Sequence, residues 1–502
     1  MSKLYIPKRF SGRIGYHVFV DRFYRAGPPP EPMPGRKIKS WEDSMPDWGP
    51  DYDGIFQNDY FYGGNLKGII QKLDYLKGLS VGILYLSPIS RSYTYHHYDV
   101  GDQTEIDPYI GDWEDFWKLC LEAHKRNILI IVDLVFNHMS GNSEPFRKAL
   151  NGDATYRNWF EWDASNNPIY WYGFKDMPQC NKLYKEYQDY ACKAAKKYVE
   201  YGADGIRLDL GEILPKEFIL SVRNAAKSVN EEILFISEMW DSAVYKAEPQ
   251  IYDGLVDSVM NYPLSDAISR WVRFGNQSHL DACMGLLAKY PVQVQDVLWN
   301  HLDTHDTPRE LNILAGPGIL ENPFDGTVWD IERTPNAPWR RKNGDFDTFV
   351  FRKWECDNDA NLKNNAIPRL KVAATIQYCM KGVPIVYYGT EAGVCGYKDP
   401  FSRKPYPWGH ENADLVKHYM ELGKMRSQNA DVFCNGDQYE NSDGKVLELV
   451  RRNEEGIIVL FANRTNEVKY INAHYPNSKV IFSLNGSDAN VLQPYGGVIC
   501  RF

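Results

Sequence analysis

Eight short apolar runs, rich in β-branched and aromatic residues, recur along the chain at 15–20, 81–87, 128–135, 205–210, 233–237, 255–260, 297–301 and 383–388. Stretches with apolar residues three to four apart lie between them, at 66–79, 113–126, 183–201, 215–229, 264–274, 369–381 and 413–429. Short apolar runs alternating with 3.6-period runs describe strand–helix units and hence a parallel sheet. Eight such units point to a closed (β/α)8 TIM barrel of the α/β class rather than an open doubly wound sheet. The chemistry of such a barrel belongs at the C-terminal ends of its strands.

Those ends carry polar residues in a definite pattern. The fourth and fifth runs each deliver a carboxylate, Asp209 and Glu238. Strand alternation puts Arg207 on the same face as Asp209, so a fixed cation is expected to keep that carboxylate ionised. Glu238 follows an apolar strand and precedes Met239 and Trp240, where desolvation is expected to raise its pKa. Two carboxyl groups tuned apart suit glycosidic bond cleavage; ordinary ion pairs inside a barrel use the same residue types. The third run ends in IVDLVFNH, with Asp133, Val135 and Asn137 on one face and His138 opening the next loop, and the seventh in NHLDTHDTPR, with His305 and Asp306.

Three connections exceed ordinary loops: 26–60, 139–181 and 316–365, the last with Trp329, Trp339 and Trp354. All three leave the C-terminal face and are expected to wall a cleft there. Packing and sugar stacking are both open readings of the three Trp. Beyond Asn429 the pattern becomes strands without helices, at 445–451, 456–463, 468–472, 479–484 and 491–501, which describes an antiparallel β-sandwich domain. The expected division is a barrel of residues 1–138 and 182–430, an inserted lobe at 139–181, and a C-terminal domain at 431–502.

The 502 residues carry a formal net charge of -9 with both signs interspersed, which argues against nucleic acid or an anionic membrane as partner and favours a neutral ligand. Nine cysteines, an odd number without metal-like spacing, form no disulfide framework. The start, MSKLYIPKRFSG, lacks an apolar signal core, and no run of eighteen apolar residues occurs. A soluble cytoplasmic protein is expected; its oligomeric state is left open.

With these motifs in hand, the chain resembles the α-amylase family of glycoside hydrolases. The likeness runs through Asp133 to His138, Arg207 to Asp209, Glu238, and His305 with Asp306. It also takes in YGGNLKGIIQKLDYLKGLSVGILYLSPI, HHYDVGDQTEIDPYIGD and GVPIVYYGTEAG, so that residues 14–430 are nearly all covered. The resemblance implies that Asp209 is the nucleophile, Glu238 the general acid/base and Asp306 the third carboxylate. It implies sugar contacts from His138 and His305, stacking from Tyr98, hydroxyl contact from Asp99, and a structural role for Asp133. MPQCN at 177–181, HDTPR, and Trp240 two residues after Glu238 look like the neopullulanase and cyclomaltodextrinase branch. Glu212 and Ile213 depart from the branch pattern, and its N-terminal β domain has no counterpart ahead of the first strand.

The implied activity is retaining hydrolysis of α-1,4-linked glucans, acting on maltooligosaccharides or starch fragments, with pullulan and cyclodextrins as further substrates. A transglycosylase on the same scaffold and a non-catalytic glucan-binding barrel are the alternatives. No cofactor is required by this chemistry. Calcium is the one ion that the resemblance admits, with Asn137 as candidate ligand and few lobe carboxylates to complete a shell of oxygens.

Overall fold

The computed structural model describes residues 5–43, 45, 58–246, 248–315, 320–321, 328–329, 360–397, 399–471 and 478–502. Eight parallel strands make the central sheet: β1 Gly15–Val18, β2 Ile83–Leu86, β3 Leu129–Leu134, β4 Gly205–Leu208, β5 Leu234–Ser237, β6 Ser258–Val259, β7 Trp299–His301 and β8 Val383–Tyr387. Their order is β6-β5-β4-β3-β2-β1-β8-β7, and a parallel bridge from Met260 to Trp299 joins the two ends, so the sheet closes on itself. All eight apolar runs are therefore strands of one barrel. They contain buried residues throughout because helices cover the outside and side chains fill the inside, the condition under which parallel strands read as unbroken apolar runs.

The covering helices are α1 Leu66–Gly78, α2 Trp113–Lys125, α3 Lys185–Glu200, α4 Lys216–Lys227, α5 Tyr262–Phe274, α6 Ala360–Cys379 and α7 Ala413–Gln428. Side-chain caps set several starts: Asn65 accepts from the Gly68 N–H, Asp112 from Asp115 and Asn412 from Leu415. Helix α6 differs from expectation, beginning at Ala360 rather than near 369 and running through Pro368. A proline normally interrupts a helix by removing an N–H and crowding the preceding turn. Here Ala366, Leu370, Ala373 and Ala374 bury a face that holds the helix together across it.

After β3 the chain builds a small lobe before α3. Single bridges His138 to Gln179, Phe160 to Cys180, Trp162 to Pro168 and Tyr170 to Pro178 staple its two sides, and helix Glu144–Leu150 packs Phe146 beneath them. Of the 316–365 connection, only the strand pair Leu320–Glu321 with Val328–Trp329 and the start of α6 are described. Trp339, Trp354 and the Trp329 side chain lie outside the described residues.

The C-terminal residues form an antiparallel sheet of β9 Asp437–Ser442, β10 Val446–Asn453, β11 Gly456–Asn463, β12 Lys479–Leu484 and β13 Gly497–Arg501, ordered β9-β10-β11-β13-β12. Alternation assigns its two faces. Ile458, Leu460 and Ala462 join the main core against the barrel helices. Val459, Phe461, Val498 and Cys500 bury Leu492 of the ribbon Lys469–Tyr470 with Val491–Leu492 in a second, smaller core. Strand β9 is an addition to the expected set.

Candidate active site

Register puts Asp133 of β3 beside Arg207 of β4, and Arg207 beside Ile236 of β5, two residues ahead of Glu238. Beyond β4, the Asp209 N–H donates to the Leu134 carbonyl and carries the strand direction one residue further. Leu210 then turns into the left-handed region at φ 49°, ψ 34°. The following Gly211 is forced by contact: a Cβ there would lie 2.2 Å from the Ser237 hydroxyl. This tight turn keeps Asp209 at the mouth of the barrel and aims the Leu210 N–H at β5.

One guanidinium organises the carboxylates. Arg207 is fully buried, and its Nη1 donates to Asp133 Oδ1 at 2.8 Å, Asp133 Oδ2 at 2.9 Å and Asp209 Oδ1 at 2.9 Å. Its Nη2 lies 3.0 Å from Glu238 Oε2. Glu238 also accepts from the Leu210 N–H on Oε2 at 2.7 Å and from the Trp240 indole on Oε1 at 2.9 Å. Trp240 is itself stacked on Tyr262, with centroids 4.3 Å apart and planes 9° from parallel.

Two expectations need correction. Arg207 does not hold Asp209 in its ordinary ionised range, because it serves three carboxyls: Nη1 donates to both oxygens of Asp133, held too by the Tyr85 and Tyr98 hydroxyls, as well as to Asp209, and Nη2 lies against Glu238. Burial, with Glu238 close by, therefore pushes Asp209 well above the usual carboxylate range in spite of the cation. Glu238, in turn, does not sit in a purely apolar setting, since N–H donors reach both of its oxygens.

The seventh strand supplies the opposite rim. The His305 ring lies parallel to that of Tyr98, 5.0 Å away at 1°, and its Nε2 is 3.0 Å from Asp306 Oδ2. Burial, with His17 and Arg403 nearby, lowers the His305 pKa well below normal, so the ring is neutral. Asp306 is pushed up to about 7 by burial, which the Arg403 guanidinium only partly offsets. Arg403 is the main residue that sequence reasoning missed. It donates from Nη2 to Asp306 Oδ1 at 3.2 Å and from Nε to the His305 carbonyl at 2.8 Å, and its Nη1 lies 3.1 Å from Asp399. Nothing in the spacing of FSRKP marks it, because His305 and Asp306 lie almost a hundred residues upstream.

His138 is buried, with Nε2 3.1 Å from the Tyr98 carbonyl and its ring stacked on Trp171 at 5.4 Å and 19°. Burial lowers its pKa to about 4. Asp209, Glu238, Asp306, Arg207, Tyr98, His138, Trp240 and His305 thus form one linked set. Asp99 is placed differently: its oxygens accept from the Tyr93 and Thr94 amides and the Thr94 and Ser140 hydroxyls, tying a turn to the lobe. Burial raises it to about 6.

Asn137 does not fit a calcium ligand. Its Oδ1 accepts from the buried Lys182 ammonium at 3.3 Å, and the same ammonium lies 2.9 Å from Glu161 of the lobe. A cation thus already stands between the amide oxygen and the nearest lobe carboxylate, and a divalent ion there would face its charge. Among the described residues no cluster of three or more His, Cys, Asp or Glu side chains is placed to hold a metal.

The family model for the α-amylase catalytic domain matches residues 17–320. An amylopullulanase from Thermoanaerobacter thermohydrosulfuricus is 29% identical over 96% of this chain but only 34% of its own length. A cyclomaltodextrinase from Geobacillus thermopakistaniensis is 29% identical over 93% of this chain and 71% of its own. Among solved structures, the cyclic α-maltosyl-(1→6)-maltose hydrolase of Arthrobacter globiformis superposes with a TM-score of 0.78 at 23% identity, covering 99% of this chain and 100% of that one, a likeness of fold.

Proposed function

Because the chain belongs to the α-amylase family of glycoside hydrolases, we propose that it is a retaining hydrolase of α-1,4-glucosidic bonds in maltooligosaccharides or starch fragments. The observation that carries this reading is the single Arg207 guanidinium reaching both Asp209 and Glu238 at the barrel mouth. Asp209 attacks the anomeric carbon while Glu238 gives its proton to the departing glycosidic oxygen, leaving a sugar ester on Asp209. Glu238, now a carboxylate, takes a proton from water, whose oxygen displaces Asp209 and restores both groups.

Attack needs the charge on Asp209, where Nη1 of Arg207 offsets part of the burial that otherwise favours its protonated form, and the proton on Glu238. Asp306 and the neutral His305 face the same mouth and supply hydrogen bonds to sugar hydroxyls that strengthen as the ring flattens toward an oxocarbenium ion. The Tyr98 ring, stacked on His305, and His138, hydrogen-bonded to the Tyr98 carbonyl, line the mouth beside them. The Trp240 indole, fixed by its stack on Tyr262, holds the acid/base in line. The relatives named for cyclomaltodextrin and pullulan degradation support testing those glucans as well. Cys120, Cys180, Cys192, Cys283, Cys379, Cys434 and Cys500 are free thiols, which supports a reducing, cytoplasmic setting.

Incubation with maltoheptaose, pullulan and a cyclodextrin, each followed by chromatography, tests the reading. Maltoheptaose should yield shorter maltooligosaccharides. Its survival at enzyme levels that exhaust a control amylase would overturn the assignment. The other two glucans show whether ring-shaped and α-1,6-containing substrates enter the same cleft.

A further inference from the structure

The lobe beside His138 ends in a tight turn whose sequence is wrong for its shape unless the side chain is needed. Residues Trp171 to Phe174 form it, closed by the Phe174 N–H donating to the Trp171 carbonyl at 2.9 Å. Both central residues have positive φ, Tyr172 at φ 45°, ψ 25° and Gly173 at φ 78°. This is the type I′ pattern, for which Asn-Gly is the favoured pair because an L residue with a bulky side chain is strained there. A tyrosine in that place costs stability and returns little packing, one edge-on ring contact, since it is 85% exposed.

What surrounds it shows a direction. The Tyr172 ring meets Trp171 edge-on at 5.1 Å, and Trp171 lies flat against His138 at 5.4 Å. Trp171 is anchored from behind by its N–H, which donates to the Met177 carbonyl at 3.0 Å, and by Phe174 at 5.7 Å. An aromatic surface therefore continues from His138 outward to an exposed ring presented by a strained backbone.

The geometry points to Tyr172 as a stacking platform for a glucose unit of a long α-glucan, two ring contacts beyond His138. The inference rests on the functional reading above and adds to it the residue that favours longer chains. A phenol ring offers an apolar face to the C–H side of a pyranose, and a position so exposed lets the chain leave into solvent beyond it.

Tyr172→Asn removes the ring while supplying the residue that the turn prefers, and Tyr172→Phe keeps the ring. The measurement is kcat/KM for maltoheptaose divided by that for maltotriose, together with Tm. In Tyr172→Asn the ratio should fall about tenfold, on the scale of stacking of bases on aromatic side chains, with Tm unchanged or raised. Tyr172→Phe should keep the ratio of the parent. An unchanged ratio in Tyr172→Asn, or equal losses on both sugars, would overturn the platform. A lowered Tm in Tyr172→Asn would assign the tyrosine to the fold instead. Failure of the parent protein to cleave either sugar would overturn the functional reading itself, a result separate from these.

Discussion

Arg207 and Arg403 divide the charges of the site between them. Arg207 meets oxygens of Asp133, Asp209 and Glu238, while Arg403 meets Asp306 and Asp399. Asp306 stands at about 7 because burial outweighs the cation beside it. Taking that cation away raises the pKa further, so a larger fraction of Asp306 is protonated at neutral pH. Arg403→Gln should therefore move the acidic limb of the kcat/KM profile to higher pH, by about one pH unit or more. A limb that stays in place while kcat/KM falls uniformly would show that Arg403 only shapes the loop. Legibility at this scale was uneven. Asp209, Glu238, His305 and Asp306 stood in the sequence because each sits at the end of an apolar run. Arg403, Tyr262 and the left-handed Leu210 did not, because their roles arise from partners brought together by barrel closure or from a φ angle that no residue type announces.

At the scale of elements, the lobe depends on how it is fastened to the end of β3. Cys180 donates its N–H to the Asn137 carbonyl at 2.9 Å, and Lys182 links Asn137 to Glu161. Lys182→Met would leave an amide oxygen and a half-buried carboxylate without their shared cation, at a cost of about 1–2 kcal/mol. Differential scanning fluorimetry should show a lower Tm for the variant and, for the parent, no response to EDTA or added calcium. A parent Tm raised by calcium would mean that a divalent ion competes for Asn137 and would contradict the role given to the lysine. The departures at this scale have physical causes. Strand β9, DQYENS, has no apolar alternation to reveal it; only one face is covered, and its place is set by pairing with β10. Helix α6 runs through Pro368 because tertiary packing overrides local preference there.

For the whole molecule, the barrel was the most legible feature, since a parallel sheet buried on both faces must write its strands as continuous apolar runs. Less legible was how firmly the C-terminal sheet is joined to it. Within the C-terminal part buried Arg451 donates to the Phe433 carbonyl at 3.0 Å, within the barrel buried Arg426 of α7 donates to the Gly382 carbonyl just ahead of β8 at 2.6 Å, and between the two the Lys381 N–H donates to the Gln438 side-chain oxygen at 2.7 Å. Arg464 reaches from the sheet to the Val272 and Arg273 carbonyls at the end of α5. These arginines satisfy carbonyl groups rather than carboxylates, so no charge pattern in the sequence betrays them. The sheet braces the helices behind β7 and β8, and through them the strands that carry His305 and Asp306.

The central claim is that Asp209 and Glu238 act in turn, one as nucleophile and one as acid and base, so that two inversions leave the anomeric configuration as it was. Proton NMR of a maltoheptaose digestion, recorded before mutarotation, tests it most directly. The account predicts that the α anomer of the newly formed reducing end appears first and the β anomer only as the solution equilibrates. A β anomer formed first would mean direct attack by water and would contradict it.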